Sequence, residues 1–316
     1  MNDKVESIKK RFPLTANLLH GCRERYYVFL GKHLPERLIK AWYKQIYKRD
    51  IDLINPKTID EKINWMKLHS DISLWTKCAD KVEVRKFIEE RGLGHVLNTI
   101  YGVYDRVEDI DFESLPDSFV LKASNGGGGK QVLIVKDKSE LNICDTRKLL
   151  NRWLKQEVGY RYYEPQYFPI RSRIIAEKYL QPDEGNGSLN DYKIYCFDGK
   201  AYNVVLCSDR KLNDTVSFSV YDLDWNLHPD CIMNQYRTNI VYPKPCSLEK
   251  MIEYSGILAK GIPFVRIDWY EIKGEPIISE MTFTPAGGFL HRYSYNYLLE
   301  LGDQLSLPSV SKNDDK

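Results

Sequence analysis

Val265-Arg266-Ile267-Asp268-Trp269 and Ser279-Glu280-Met281-Thr282-Phe283 read as the two arms of one hairpin spanning 263–283, turning at Lys273-Gly274-Glu275-Pro276. Side chains alternate across a strand, so Val265, Ile267, Trp269, Met281 and Phe283 fall on one apolar face. Arg266, Asp268, Glu280 and Thr282 share the other. With the turn centred near 273–274, Asp268 and Glu280 become near cross-strand neighbours, where like charges destabilise a sheet. Facing carboxylates are tolerated when a cation lies between them, and hard oxygen donors select Mg²⁺. Arg266 beside them can neutralise a transferred phosphoryl group. On this basis Asp268→Asn or Glu280→Gln abolishes turnover and leaves the fold intact, because each relieves repulsion. The competing interpretation is a surface Arg266–Asp268 ion pair with Glu280 in solvent. A polar face on strands this apolar argues against it.

Upstream, Ser124-Asn125-Gly126-Gly127-Gly128-Gly129-Lys130 joins two strand-like segments, Phe119–Lys122 and Val132–Lys136. Glycine loses the most backbone entropy on ordering, so four in succession do not serve packing. They let backbone N–H groups turn together toward an anion. The loop lacks GK[ST] and lies between two strands, which excludes a Walker A motif, and it is no strand-to-helix GxGxxG turn either. It reads as a hairpin flap over a triphosphate, set against a plain surface hairpin. Lys122, and Lys193 within Asp191-Tyr192-Lys193-Ile194-Tyr195, complete a phosphate clamp; singly, each could snorkel to solvent. Glu177-Lys178-Tyr179-Leu180 ends another apolar strand, and exposed backbone there suits the edge of adenine.

The first hundred residues read as mainly helical. Thr58-Ile59-Asp60-Glu61 is a capping box that opens a helix over about 58–69. A second helix is expected at about 80–91, stopped by Gly92, and a third at about 145–158. Strands follow over 173–180, 192–197 and 201–206, the last two joined by Asp198-Gly199, a type I′ signal. The tail from Ser306 reads as disordered. The fold class is α+β with antiparallel sheets.

Hydrophobic residues are 43% and charged residues 28%, the balance of a globular chain and not of a disordered one. A net charge of +2 gives no footprint for nucleic acid, and none is expected as a partner. Residues 1–50 hold twelve Lys and Arg against five Asp and Glu. Their cations surround Trp42, Tyr43, Ile46 and Tyr47, which fits either an anionic membrane surface or a solvated face over a core stripe. No segment has the length of a membrane span, and the charged N-terminus lacks a signal-peptide core. Seven scattered cysteines without zinc spacing suit reduced thiols in a cytoplasm.

A lysine strand, a glycine flap, a Glu-Lys-x-Leu hinge, a strand lysine, then Arg-x-Asp and Glu-x-Thr on a closing hairpin: this order resembles the ATP-grasp superfamily over about residues 80–290. Asn55-Pro56-Lys57-Thr58, Glu61-Lys62-Ile63-Asn64-Trp65, Asp80-Lys81, Asp191 to Gly199 and Pro285-Ala286-Gly287-Gly288 are more particular. They resemble the teichuronopeptide-biosynthesis (TupA-like) branch, which is associated with capsule, exopolysaccharide and other cell-surface polymers. The resemblance implies two α+β subdomains with antiparallel sheets clasping ATP, preceded by a mainly helical N-terminal region. The expected boundaries are 1–98 for the helical region, 99–180 for the subdomain with the flap, 181–305 for the subdomain with the metal site, and 306–316 for the tail.

By the same resemblance, Lys81 and Lys122 contact the nucleotide and Gly126, Gly127, Gly128 and Gly129 close over its phosphates. Glu177 and the backbones of Lys178 and Leu180 hold adenine, and Glu184 or Asp183 holds ribose. Lys193 binds phosphate, and Asp268 and Glu280 ligate Mg²⁺. Thr282 stands where the superfamily usually has Asn, a weaker ligand acting through water. Arg266 stabilises the acyl phosphate and the tetrahedral species. The implied enzyme is an ATP- and Mg-dependent, ADP-producing carbon–nitrogen ligase. It would join a small-molecule or saccharide carboxylate to an amine, in the cytoplasm or peripheral to the inner face of the membrane, alone or with a polysaccharide assembly complex. His291 reads as structural, Arg292 as a candidate for an acceptor carboxylate, and the tyrosines of 160–168 as core and hinge packing. Two alternatives remain at this stage. One is a glycosyltransferase using Asp222 and Asp224 of Asp222-Leu223-Asp224, and the other an ATP-grasp-fold kinase acting on a sugar hydroxyl.

Overall fold

The computed structural model describes residues 13–127, 129, 131–182, 188–208 and 217–308, with the backbone alone for 13–22. Among the described residues five α-helices precede the first strand: α1 (Pro13–His33), α2 (Pro35–Tyr47), α3 (Ile59–His69), α4 (Ser73–Ala79) and α5 (Glu83–Glu90). The capping box is present at α3: Thr58 Oγ1 accepts from the Glu61 N–H, and Glu61 Oε2 accepts from the Thr58 N–H at 3.0 Å. The helix expected at 80–91 is shorter, and α4 before it was not anticipated. Seven residues carry too little periodicity to announce a helix, yet Trp75 on α4 stacks on Phe283 at 5.2 Å.

On α2, Leu38, Ile39, Trp42 and Tyr43 are buried against Phe289, and Trp42 Nε1 donates to the Arg161 carbonyl at 2.8 Å. This corrects the membrane interpretation of that stripe, whose apolar side is core. The 3₁₀ turn at Tyr160–Tyr162 packs on α1 so closely that a Cβ on Gly31 would meet the Tyr160 carbonyl at 2.4 Å. Tyr162 lies against Trp42 and Phe289, and Tyr160 stacks on Phe168, so these tyrosines are packing residues as expected.

Among the described residues nine strands make two antiparallel sheets. The smaller has β1 (Ile100–Tyr104), β2 (Phe119–Ala123), β3 (Val132–Val135) and β4 (Ile174–Lys178) in the order β1-β4-β2-β3. Helix α6 (Ile143–Leu154) covers it through Leu150 and Trp153. The larger has β5 (Asp191–Phe197), β6 (Lys200–Ser208), β7 (Ser217–Tyr221), β8 (Phe264–Ile272) and β9 (Glu275–Thr282) in the order β7-β6-β5-β8-β9. Its hairpin turns, Asp198-Gly199 and Lys273-Gly274, have positive φ at both residues, the I′ geometry that fits strand twist. Helix α7 (Leu248–Ala259) packs on this sheet, and α8 (Tyr295–Gln304) closes the described chain. Helices α3 to α5 share the larger sheet's core: Ile63, Met66, Phe87 and Ile88 join Ile267, Trp269 and Met281. Leu305 is fully buried and Leu307 packs on the same core, so the ordered chain runs past the expected start of the tail at 306.

Candidate active site

The hairpin register is the one read from the alternation: Asp268 pairs with Glu280 and Arg266 with Thr282 across β8 and β9. On the other side of β8, Asp268 pairs with Lys193 of β5. Asp268 is 2% exposed, and its charge is met by the protein's own cations. Arg266 Nε and Nη2 donate to its two oxygens at 2.6 and 2.7 Å, and Lys193 Nζ donates to Oδ2. Lys193 Nζ also donates to Asp191 at 2.7 Å, and Arg266 Nη2 to Thr282 at 3.1 Å. Burial alone would raise the Asp268 pKa; Arg266 and Lys193 outweigh it and hold the carboxyl below its ordinary value. Burial works against the Lys193 ammonium too, but Asp268 more than restores it. This argues against the expectation that Asp268→Asn spares the fold, since the substitution would leave Arg266 without a carboxylate and Lys193 with Asp191 alone. Glu280 differs. Among the described residues it has no hydrogen bond or ion pair, so its carboxylate is ready for a ligand.

On the smaller sheet Lys122 of β2 forms an ion pair with Glu177 of β4, whose positions lie diagonally across that pairing. Burial would lower the Lys122 pKa, and Glu177 more than offsets it. Lys81 sits at the base of the glycine loop. Its N–H donates to the Ser124 carbonyl at 3.1 Å and its Nζ to the Gly126 carbonyl. Burial lowers its pKa, and Glu280, Lys122 and Glu177 all act on it electrostatically. Side chains from both sheets therefore converge on one volume. A Cβ on Gly126 would lie 2.9 Å from Gln131 Oε1 and 3.2 Å from the Ala123 carbonyl, so the flap base is closely packed here. Gly129 has φ +72, the left-handed region. Gly128, and the ribose candidates Asp183 and Glu184, lie outside the described residues.

At the hinge, the Lys178 N–H donates to the Thr99 carbonyl at 2.9 Å and its carbonyl accepts from Asn98 at 2.9 Å. Both backbone groups of Lys178, expected to help hold adenine, thus have partners within the protein. Glu177, expected to meet the adenine amino group, forms an ion pair with Lys122. His291 is exposed, its Nδ1 3.2 Å from the Phe289 carbonyl. Asp222 is a turn anchor. Its Oδ1 accepts from the N–H groups of Asp224 and Asn226, and its Oδ2 from Asn226 and within 3.1 Å of His228. It lies at the end of edge strand β7, two strands beyond β5 and Lys193.

Three features escaped the sequence. Asp191 is the first, although its i, i+2 spacing from Lys193 puts both on one sheet face. Tyr167 is the second: its hydroxyl would lie 3.5 Å from a Cβ on Gly127, and after burial Glu280 is the strongest influence on it. The third is a clamp on the turn that follows β9. Ala286, Gly287 and Gly288 all have positive φ, and Lys67 Nζ donates to the Gly287 carbonyl at 2.7 Å and the Tyr162 carbonyl at 2.8 Å. Asn64 donates to the Gly288 carbonyl at 2.7 Å.

The donor set suits Mg²⁺. Three N–H groups use three of the roughly four lone-pair positions of Asp268, leaving one on Oδ1, and Glu280 supplies its own. Mg²⁺ is commonly held by one or two carboxylates and completes its shell with water and phosphate oxygen.

Two converging antiparallel sheets, one with a lysine and a glycine loop and the other with a buried lysine–carboxylate–arginine face, define an ATP-grasp enzyme. More specifically, the family model described as TupA-like ATPgrasp matches residues 61–306, and the chain belongs to that family. Solved structures with a similar fold include a D-alanine–D-alanine ligase from Bacillus anthracis, at 17% identity and TM-score 0.45, covering 85% of this chain and 74% of that one. An N5-carboxyaminoimidazole ribonucleotide synthetase has 17% identity and TM-score 0.42, covering 66% and 45%. A D-cycloserine synthetase has 14% identity and TM-score 0.43, covering 74% and 72%. No curated protein matches the chain.

Proposed function

We propose that this enzyme is an ATP- and Mg²⁺-dependent carboxylate–amine ligase that forms an amide on a cell-surface polysaccharide or its precursor. The observation that carries the proposal is the convergence of Lys81, Lys122 and Glu177 with Glu280, beside the Lys193–Asp268–Arg266 cluster. In this scheme the backbone of Leu180 meets adenine, and Lys81 and Lys122 meet the phosphates under the flap of Gly126 to Gly129. Asp183 or Glu184 holds ribose.

Asp268 and Glu280, with Thr282 nearby, would hold Mg²⁺, which supplies charge neutralisation on phosphate oxygens when bound. The substrate carboxylate attacks the γ-phosphorus, a C–O–P linkage forms, and the bond to ADP breaks. Lys193 has one ammonium donor beyond its two carboxylate bonds and can steady the moving phosphoryl group. The amine then attacks the acyl carbon, phosphate leaves with the bonding electrons, and the nitrogen loses a proton. Arg266, fixed by Asp268 and Thr282, would meet the charge that develops on the acyl oxygen. Catalysis is by positioning and needs no nucleophilic side chain.

The test is product analysis with Mg-ATP and a panel of uronic acids and amines. ADP and phosphate released only when both substrates are present supports the ligase. ADP with a phosphorylated hydroxyl and no free phosphate would replace it with a kinase; nucleotide release from a nucleotide-sugar, without ATP use, would replace it with a glycosyltransferase.

We further propose peripheral contact with the inner face of the membrane. No described helix is long and apolar enough to cross one. On α1, Tyr26 is 55% and Phe29 53% exposed beside exposed Arg23 and Arg25, a surface suited to an anionic leaflet. Equal sedimentation with anionic and neutral vesicles would remove that idea.

A further inference from the structure

Residues paired directly across antiparallel strands point to the same face. Asp191 pairs with Cys207, and Cys207 with Phe218, so Phe218 on β7 shares the face that carries Lys193, Asp268 and Glu280. Over its ring lies the guanidinium of Arg292, 4.3 Å from the centroid and 5.5 Å from that of Tyr236. The backbone holding Arg292 is pinned: its carbonyl accepts from the Met233 N–H at 2.9 Å, Tyr293 bridges Ile232, and the Ser294 N–H donates to the Cys231 carbonyl at 2.9 Å. Among the described residues no carboxylate pairs with Arg292, whereas Arg266, Arg161 and Arg237 each have one and Arg173 has two. Two rings restrict the side chain and leave its partly exposed N–H fork unspent. A planar fork of this kind takes a carboxylate in a bidentate pair.

Three strand spacings and two residues along the strand separate Phe218 from Asp268, about 16 Å between backbone positions. A group held at Arg292 is thus on the same face as the reacting end and well apart from it. Tyr236 is 37% exposed and offers a ring face beside the fork.

We propose that Arg292, cradled by Phe218 and Tyr236, is a subsite for a carboxylate on the remote part of an extended acidic substrate. This deepens the ligase proposal and rests on it for the identity of the reacting end. A uronic-acid oligosaccharide and an acidic peptide both carry the required group.

The experiment is calorimetric binding of trigalacturonate, its methyl ester and triglutamate to the full chain with Mg-ADP present, for wild type, Arg292→Gln and Arg292→Lys. Expected is binding of at least one acidic probe, at least tenfold weaker for Arg292→Gln and intermediate for Arg292→Lys, which keeps a stem over Phe218. Preference for trigalacturonate assigns the saccharide source, and preference for triglutamate the peptide. Equal binding of acid and ester, undiminished binding by Arg292→Gln, or no acidic probe bound by wild type overturns the subsite. Mg-ADP is titrated separately. Failure of wild type to bind it would overturn the ligase proposal and leave the acid-probe result to decide the subsite alone.

Discussion

The two sheets hold their functional charges in opposite ways. On the larger, Asp268 is buried under three N–H donors from Arg266 and Lys193, and Lys193 is held a second time by Asp191. On the smaller, Lys122 has a single carboxylate, Glu177, and both remain partly accessible. Buried charges fixed by several partners set their geometry before any ligand arrives and need no reorganisation during reaction. A lone, partly accessible pair has fewer bonds to give up when phosphate replaces one partner. The larger sheet is thus suited to the chemical step and the smaller to capture and release of nucleotide.

The sharpest way to break this contrast is Asp268→Asn. Removing one partner of a buried ion pair costs about 3–5 kcal/mol, so the melting temperature should fall by about 5–15 °C along with loss of turnover. Differential scanning fluorimetry checks this, and a melt like wild type would mean the cluster carries little energy. The pH course follows from the sign of the shift. The native carboxyl is held below its unfolded pKa of roughly 3.9, so its contribution is full above that value and is lost as pH falls through the native one. The melting curves of wild type and variant should converge below about pH 4.

Glu280→Gln should separate chemistry from stability. Turnover falls by about 10²-fold or more, while the melting temperature stays within about 2 °C, because Glu280 has no described partner to lose. A large drop in stability would place Glu280 with Asp268 as a structural group. Glu177→Gln, on the smaller sheet, is expected to act on KM for ATP by about tenfold with kcat nearly unchanged. If kcat falls instead, the two sheets do not divide the work. Asp222→Ala should have the smallest effect, about 1 kcal/mol of stability from the lost turn bonds and no change in steady-state turnover.

Where the chemistry is written in alternation, the sequence could be read directly. The pairing of Asp268 with Glu280, the I′ turn at Asp198-Gly199 and the capping box at Thr58 all follow from local rules, and each is in the structure. Lys193 above Asp268 was out of reach, because the pairing of β5 with β8 joins segments 75 residues apart. The alternation on one hairpin thus calls for a cation between its carboxylates, although Arg266 and Lys193 already meet the charge of Asp268. Helix α4 was too short to show a period, and the stripe on α2 looked the same whether it faced lipid or Phe289. Hinge geometry at Lys178 depended on Thr99 and Asn98 across a strand edge, which no motif encodes.

The clamp of Asn64 and Lys67 on the turn after β9 has a consequence for synthesis on the ribosome. Its bonds link residues 220 and 224 apart, and Lys62 donates to the Gly302 and Leu305 carbonyls across 240 and 243 residues. At roughly 5–20 residues per second, helix α3 waits about 10–50 s after emerging before its partners exist. During that interval Ile59, Ile63 and Met66 have no β8–β9 hairpin to cover them. A nascent chain halted before Gly288 would therefore be both inactive and a ready client for chaperones.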